Sequence, residues 1–286
     1  MIYLKSFTLL NEFQEHNIFG KDVRNIYTNY YPLQLFTIKE LETIVFNNIT
    51  IFCGGNGSGK TTLLNIIADK LLAIRKTPIN KGSFFNLYVN DCSYEISLDE
   101  PFEIKVVTSD DIFDYLLDIR SINSNVNREK EKLSKEYLNA KFNSSTTSFE
   151  NYEELKTKCD SRRMTMSKFV RQRLGNNNIV EQSNGESALL FWEKEIKENS
   201  IYILDEPENS LSAENQLKLK QFLEDSARFY NCQFIISTHS PFLLNLREAK
   251  IYDLDEIPVT VKKWTKLRNV KTYYDFFKEH EDDFNL

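Results

Sequence analysis

The chain has 286 residues, 41% hydrophobic, 13% aromatic and 27% charged, a balance that excludes whole-chain disorder and suits one large domain or two interlocked lobes. No apolar run approaches the roughly 20 residues that cross a bilayer. Met1 to Phe7 lacks a basic region followed by a long apolar stretch, so a soluble, cytoplasmic protein with no membrane span is expected. Net charge is −6, and any nucleic-acid contact must therefore come from a local basic patch.

In chain order, Ile44-Val45-Phe46 and Ile49-Thr50-Ile51-Phe52 read as strands. They run into a glycine cluster that is unusual for this chain. Average usage of about 7% would give about 20 glycines; there are 8, and Gly54, Gly55, Gly57 and Gly59 are half of them. Such crowding points to unusual backbone dihedrals or close ligand approach. After it, Thr61 to Ile74 carries apolar residues at the spacing of a helix with one buried face.

The octapeptide Gly54-Gly55-Asn56-Gly57-Ser58-Gly59-Lys60-Thr61 fits G-x-x-x-x-G-K-[ST] between a strand and a helix, the context this motif requires. Successive backbone N–H groups and the helix N-terminus then cradle an anion. Expected ATP-binding residues are Asn56, Gly57, Ser58, Gly59, Lys60, Thr61 and Thr62, with Lys60 reaching the β and γ phosphates and Thr61 ligating Mg²⁺. A glycine turn with a chance lysine is the alternative, and the flanking elements disfavour it.

Ile104 to Val107, Ile201 to Leu204 and Phe234 to Ile236 are short apolar runs suited to central strands of a mostly parallel sheet, with a helical pattern at Ala213 to Ala227. From Asp111 to Asn178 strand signals vanish and polar, helix-forming segments take over, interrupted by a loop at Asn143 to Ser148. The expected organisation is one α/β domain over 1–286 with an inserted helical lobe at 111–178, too short in heptads for a coiled-coil arm. Within that lobe Lys156, Lys158, Arg162, Arg163, Lys168, Arg171 and Arg173 are opposed only by Asp160. Arg162, Arg163, Lys168, Arg171 and Arg173 are candidate contacts to DNA or RNA phosphates. The alternative is a solvated face paired with Glu150, Glu153 and Glu154. No base-reading motif accompanies it.

Three further clusters follow. Gln182 to Ser187 precedes an apolar helix beginning at Ala188, which puts Ser183 and the Gly185 backbone at a helix N-terminus able to hold an anion, or simply makes a capped helix start. Ile201 to Glu206 is a buried strand ending in two acids; Asp205 can hold Mg²⁺ through water, and Glu206 can orient or deprotonate an attacking water. The bland alternative is a solvated turn at Pro207. His239, in Ser237-Thr238-His239-Ser240, follows another strand at the sheet edge where ligands gather in open α/β sheets. Cys53, Cys92, Cys159 and Cys232 form no C-x-x-C pair, and are read as reduced and structural.

The order of phosphate loop, Ser183-to-Ser187 segment, Asp205-Glu206-Pro207 and Ser237-Thr238-His239-Ser240-Pro241 resembles the ATP-binding-cassette (ABC) ATPases. Leu204 to Leu211 and Ile236 to Pro241 look like the RecF/SMC branch and the ATPase halves of OLD-type nucleases, AAA family ATPases of DNA repair and phage defence. The resemblance implies an α/β P-loop NTPase fold and two heads sandwiching two Mg-ATP in a homodimer. Ser183, Gly185 and Glu186 of one head would face the γ phosphate held by Lys60 of the other. Glu206 would be the general base, His239 the γ-phosphate sensor, and Asn209 to Ser212 the loop crossing between heads.

Asn184 replaces the usual Gly of that segment, Glu186 the usual Gln, and Ser212 the usual Asp of the crossing loop. No metal-binding Gln follows Ile104 to Val107, where the resemblance implies one; Thr108-Ser109-Asp110-Asp111 stands there instead, and that ligand stays open, with Ser109 one candidate. The chain ends at Leu286, soon after the His239 motif, so no nuclease domain is expected here, and whatever the ATPase drives is expected in another chain or in the inserted lobe. The reading is an ATPase that switches a DNA-linked or defence-linked partner. The alternatives are an ATP-dependent scaffold that sequesters an effector, or a transporter subunit, for which the usual Gly-Glu pair before the phosphate loop is missing.

Overall fold

The computed structural model describes residues 2–21, 30–97, 102–142, 152–174, 184–209 and 211–284. The chain opens with β1 (Leu4–Thr8) and α1 (Glu12–Lys21), then β2 (Thr43–Val45) and β3 (Ile49–Cys53). The glycine loop leads into α2 (Lys60–Lys70), followed by α3 (Phe85–Asp91), β4 (Ser93–Ile96) and β5 (Glu103–Thr108). Four helices come next: α4 (Ser109–Phe142), α5 (Tyr152–Arg163), α6 (Met166–Leu174) and α7 (Asn184–Glu195). Alternation resumes with β6 (Ser200–Asp205), α8 (Ala213–Phe229), β7 (Gln233–Ser237), α9 (Pro241–Leu244), β8 (Lys250–Asp253) and β9 (Thr260–Lys262), before α10 (Arg268–Glu279) and α11 (Glu281–Phe284).

The chain divides into two compact units, 1–113 with 184–286, and 114–183. The first holds a six-stranded sheet in the order β5-β6-β7-β3-β8-β9, parallel except for β9. The expected mostly parallel sheet is thus present, with the strand–glycine loop–helix unit of β3 and α2 inside it. Every residue of β3 and β7 is buried, as is β6 up to Leu204. Strands covered on both faces read as continuous apolar runs, which is why they stand out in the sequence.

Register aligns the strand ends. Thr108 pairs with Asp205, Asp205 with Ser237, Phe52 with Ser237, and Cys53 with Asp253. The C-terminal ends of five strands therefore lie side by side, where open α/β sheets bind ligands.

A smaller antiparallel sheet, β2-β1-β4, lies beside the main one. Gln233, fully buried in β7, joins the two. Its Oε1 accepts the N–H groups of Tyr3 and Leu4 (3.0 and 2.8 Å), and its Nε2 donates to the carbonyls of Leu4 and Asn47 (2.8 and 3.1 Å). All four polar positions of a buried amide are thereby satisfied.

Two helix limits correct the sequence expectation. α2 stops at Lys70, four residues short of Ile74, because Leu72 turns left-handed (φ 53°) and the Ala73 N–H reaches back to the Ala68 carbonyl (2.9 Å), a Schellman-type end. Ile74 then bridges β5, its N–H donating to the Ile104 carbonyl. α7 begins at Asn184 and not at Ala188, so Asn184 to Ser187 form its first turn.

The second unit is helical. Tyr137 of α4 meets Phe169 of α6 edge-on with ring centroids 5.4 Å apart, and its hydroxyl donates to the Met164 carbonyl (3.0 Å). Residues 114–183 carry 13 Lys and Arg against 10 Asp and Glu, a net +3; with −6 for the whole chain, the other unit carries −9. The expected loop at Asn143 to Ser148 lies outside the described residues.

Candidate functional site

The glycine loop is built by its backbone. Gly57 (φ +79°) and Gly59 (φ +98°) occupy the left-handed region that excludes most side chains. Gly54 is needed for space, since a Cβ there would lie 2.6 Å from Ser58 Oγ. Gly59 is the N-cap of α2 and offers no side-chain acceptor, so the first-turn N–H groups of α2 have no capping partner of their own. Ser58 Oγ is buried without a hydrogen-bond partner. An oxyanion suits this set of donors.

Lys60 heads α2 and is 5% exposed. Its Nζ donates to the carbonyls of Gly54 (2.9 Å) and Gly55 (3.1 Å), and so is stored beside the loop. The next residue, Thr61, donates its hydroxyl to Asp205 Oδ1 (3.2 Å). Ser237 also donates to Asp205 Oδ1. Burial pushes the Asp205 carboxyl above the ordinary carboxylate range, against the pull of these two hydroxyls. A desolvated carboxylate beside a threonine hydroxyl at a sheet edge is a donor set that suits a hard divalent cation such as Mg²⁺. Ser109 follows Thr108, the register partner of Asp205, and so lies at the same edge.

Beyond β6, Glu206 takes a left-handed conformation (φ +49°), and its N–H is held by the Ser237 carbonyl (3.0 Å). Its Oε2 accepts from Asn209 Nδ2 (3.1 Å), and its Oε1 lies 3.3 Å from His239 Nε2. That approach lacks hydrogen-bond alignment, leaving Nε2 without a partner. The motifs of Glu206 and His239, read separately in the sequence, are thus brought together. The His239 carbonyl accepts from Asn269 Nδ2 of α10 (2.9 Å).

Two residues at this site have no role assigned to them by the sequence motifs. Glu208, 8% exposed, accepts through one oxygen from Thr238 Oγ1 (2.6 Å), the His239 N–H (2.8 Å) and the Ser240 N–H (3.1 Å). Asp255, just past β8, receives the Gly55 N–H on both carboxylate oxygens (2.8 and 2.9 Å). Glu208 is at least within reach of sequence reading, as the second acid of Glu206-Pro207-Glu208. Asp255 lies 200 residues from its partner and no spacing links them.

Of the expected ATP-binding residues, Asn56, Gly57, Ser58, Gly59, Lys60, Thr61 and Thr62 share the loop and first turn of α2. Thr62 Oγ1 also contacts the Tyr31 hydroxyl. Gly185 and Glu186 are in the first turn of α7, while Ser183 lies outside the described residues.

In the helical unit Arg162, Arg163, Lys168 and Arg171 are exposed on α5 and α6. Arg173 is engaged: it pairs with Glu136 (2.8 Å), donates to Thr157 Oγ1 (2.8 Å) and lies 4.2 Å over the Phe169 ring. In the first unit, a cavity of about 810 Å³ bordered by Phe102, Ile196 and Ser200 opens at the start of β5 and β6, the opposite sheet edge from Asp205 and Glu206.

Residues 109–245 match the family described as "AAA domain, putative AbiEii toxin, Type IV TA system". The match takes in Asp205, Glu206 and His239 but not the glycine loop. No curated protein matches the chain. Among solved structures the chain is similar to an SMC head domain from Thermotoga maritima (16% identity over 92% of this chain and 99% of that one, TM-score 0.39). It is also similar to a nucleotide-free ATP-binding cassette from an ABC transporter (14%, 96% and 96%, TM-score 0.40). A third is the ATP-binding cassette MJ0796, in a dimeric structure bound to ADP and Pi (17%, 79% and 90%, TM-score 0.36).

Proposed function

We propose that this P-loop ATPase of the ABC/AAA type binds and hydrolyses Mg-ATP, and that it does so as a homodimer that switches an effector protein in trans. The observation that carries the reading is the convergence of Lys60, Thr61, Asp205, Glu206 and His239 at one sheet edge. The loop N–H groups and the N-terminus of α2 bind the phosphates, and Lys60 exchanges its two carbonyl partners for phosphate oxygens. Mg²⁺ on Thr61 and Asp205 would neutralise charge on those oxygens.

Glu206 is placed to accept the proton of a water attacking the γ phosphorus, as the bond to the ADP oxygen breaks and inorganic phosphate leaves. A positioned base of this kind contributes about 10²–10⁴-fold. His239, whose Nε2 has no hydrogen-bond partner, is free to donate to the γ phosphate.

The first turn of α7, with Gly185 and Glu186, supports a role for Ser183, Gly185 and Glu186 in closing over a second copy's nucleotide. The family description, which couples an AAA domain to a type IV toxin–antitoxin system, favours a defence-linked partner. The charge split, +3 against −9, favours DNA or RNA contact through Arg162, Arg163, Lys168 and Arg171. Arg173 serves the packing of its own unit.

Asn184, Glu186 and Ser212 depart from the family pattern and favour a second reading, a slowly turning ATP-dependent scaffold. Glu206→Gln tests both. Hydrolysis should fall at least about 100-fold with Mg-ATP binding kept, and ATP should then hold the variant as a dimer on a sizing column. Unchanged turnover excludes Glu206 as the base, and full cellular activity of the variant selects the scaffold.

A further inference from the structure

Glu208 is a buried acid to which the hydrolytic chemistry assigns no part. A buried carboxylate is costly unless it is fully engaged. Here burial pushes its carboxyl above the ordinary range, and all three of its donors come from one turn: the Thr238 hydroxyl and the N–H groups of His239 and Ser240. Ser240 is fixed further, its hydroxyl donating to Gln216 Oε1 of α8 (2.6 Å). The loop that follows β6 thus grips the loop that follows β7, and does so at the residue whose imidazole faces Glu206.

We infer that Glu208 is a positioning residue for ATP hydrolysis: its carboxylate sets the 238–240 backbone so that the His239 imidazole faces Glu206 and the γ phosphate. The inference rests on the reading of Glu206 and His239 as the hydrolytic pair. Removing the carboxylate orphans the His239 N–H, leaves the Ser240 N–H only the Thr238 hydroxyl oxygen (3.0 Å), and lets the turn rotate. The nucleotide loop has no bond to Glu208, so the loss falls on the chemical step and spares binding.

The test is a cycle of Glu208→Ala, His239→Ala and the double variant in steady-state ATPase assays, with Glu208→Gln as the conservative control. Glu208→Ala should lower kcat about 10- to 100-fold, the scale of a misplacement of about 1 Å, with KM for ATP little changed. Glu208→Gln keeps an oxygen acceptor and should recover most of that loss. The double variant should be no slower than His239→Ala.

Independently of turnover, the chain has three histidines, so imidazole proton NMR resolves them. The His239 resonance should move in Glu208→Ala while those of His16 and His280 stay. Should Glu208→Ala fail to fold, the cycle is run with Glu208→Gln, whose smaller loss should likewise vanish in the His239→Ala background. Losses that multiply in the double variant, or an unmoved His239 resonance, overturn the inference alone. Wild-type turnover in His239→Ala overturns the reading beneath it as well.

Discussion

Thr61 and Asp205 lie 144 residues apart in the chain, yet the threonine hydroxyl donates to the carboxylate at 3.2 Å. That bond joins the nucleotide loop to the strand that carries the acids. It does not offset the desolvation of Asp205, whose carboxyl is raised by burial. A carboxyl raised in the folded state binds its proton more tightly there than in the unfolded chain, so stability declines as pH rises from the unfolded to the folded pKa. Above the folded value the penalty is complete. Asp205→Asn should therefore melt higher than the wild type at pH 7 to 8 without nucleotide, with the gain shrinking as pH falls through that window. The same variant should lose Mg²⁺-dependent ATP hydrolysis. Calorimetric melting across pH with a parallel ATPase assay checks both; a lower melting temperature at neutral pH contradicts the account.

Gly59 combines φ +98° with a close neighbour: a Cβ there would lie 3.1 Å from Leu35 Cδ2. Alanine in such a conformation costs about 1–3 kcal/mol. Gly59→Ala should unfold at lower denaturant and bind ATP more weakly, whereas Gly55→Ala, with negative φ and its nearest neighbour 3.6 Å away at Asp255 Oδ1, should be milder. Denaturant midpoints of the two variants decide it, and equal midpoints contradict the account.

The Asp255 clasp on Gly55 predicts a binding defect. A hydrogen bond to a charged acceptor is worth about 1.5–3 kcal/mol. Asp255→Ala should release the loop and raise the Kd for ATP by about tenfold or more, while Asp255→Asn, which keeps an acceptor oxygen, should lose less. Fluorescent nucleotide titration of both measures it. An alanine variant that binds as the wild type does would mean the loop holds its shape unaided.

What was legible in the sequence follows from burial. β3, β6 and β7 are covered on both faces and appear as unbroken apolar runs, and the glycine loop declares itself by spacing. β4 did not, because Ser93, Tyr94 and Glu95 are exposed and lack an apolar run. The end of α2 was missed because Leu71, Leu72 and Ile74 keep the helical period although Leu72 has left it. Asp255 and Gln233 act across some 200 residues, a distance at which no local pattern speaks.

Arg162, Arg163, Lys168 and Arg171 are exposed, whereas Arg173 is held by Glu136 and Phe169. If the four exposed residues contact phosphates, replacing them with Ala should weaken DNA or RNA binding and flatten its salt dependence by about one unit of log–log slope per lost contact. Arg173→Ala should instead lower thermal stability. Filter binding at several salt concentrations tests this, and an unchanged slope removes the nucleic-acid contact from the account.

Titration of Mg-ATP into wild-type protein and Lys60→Ala by isothermal calorimetry tests the central claim most directly. The buried ammonium of Lys60 is expected to turn from Gly54 and Gly55 to the phosphates. Saturable binding by the wild type, with none detected for a folded Lys60→Ala, is the predicted result. No uptake by the wild type, or equal affinity in both proteins, would contradict it.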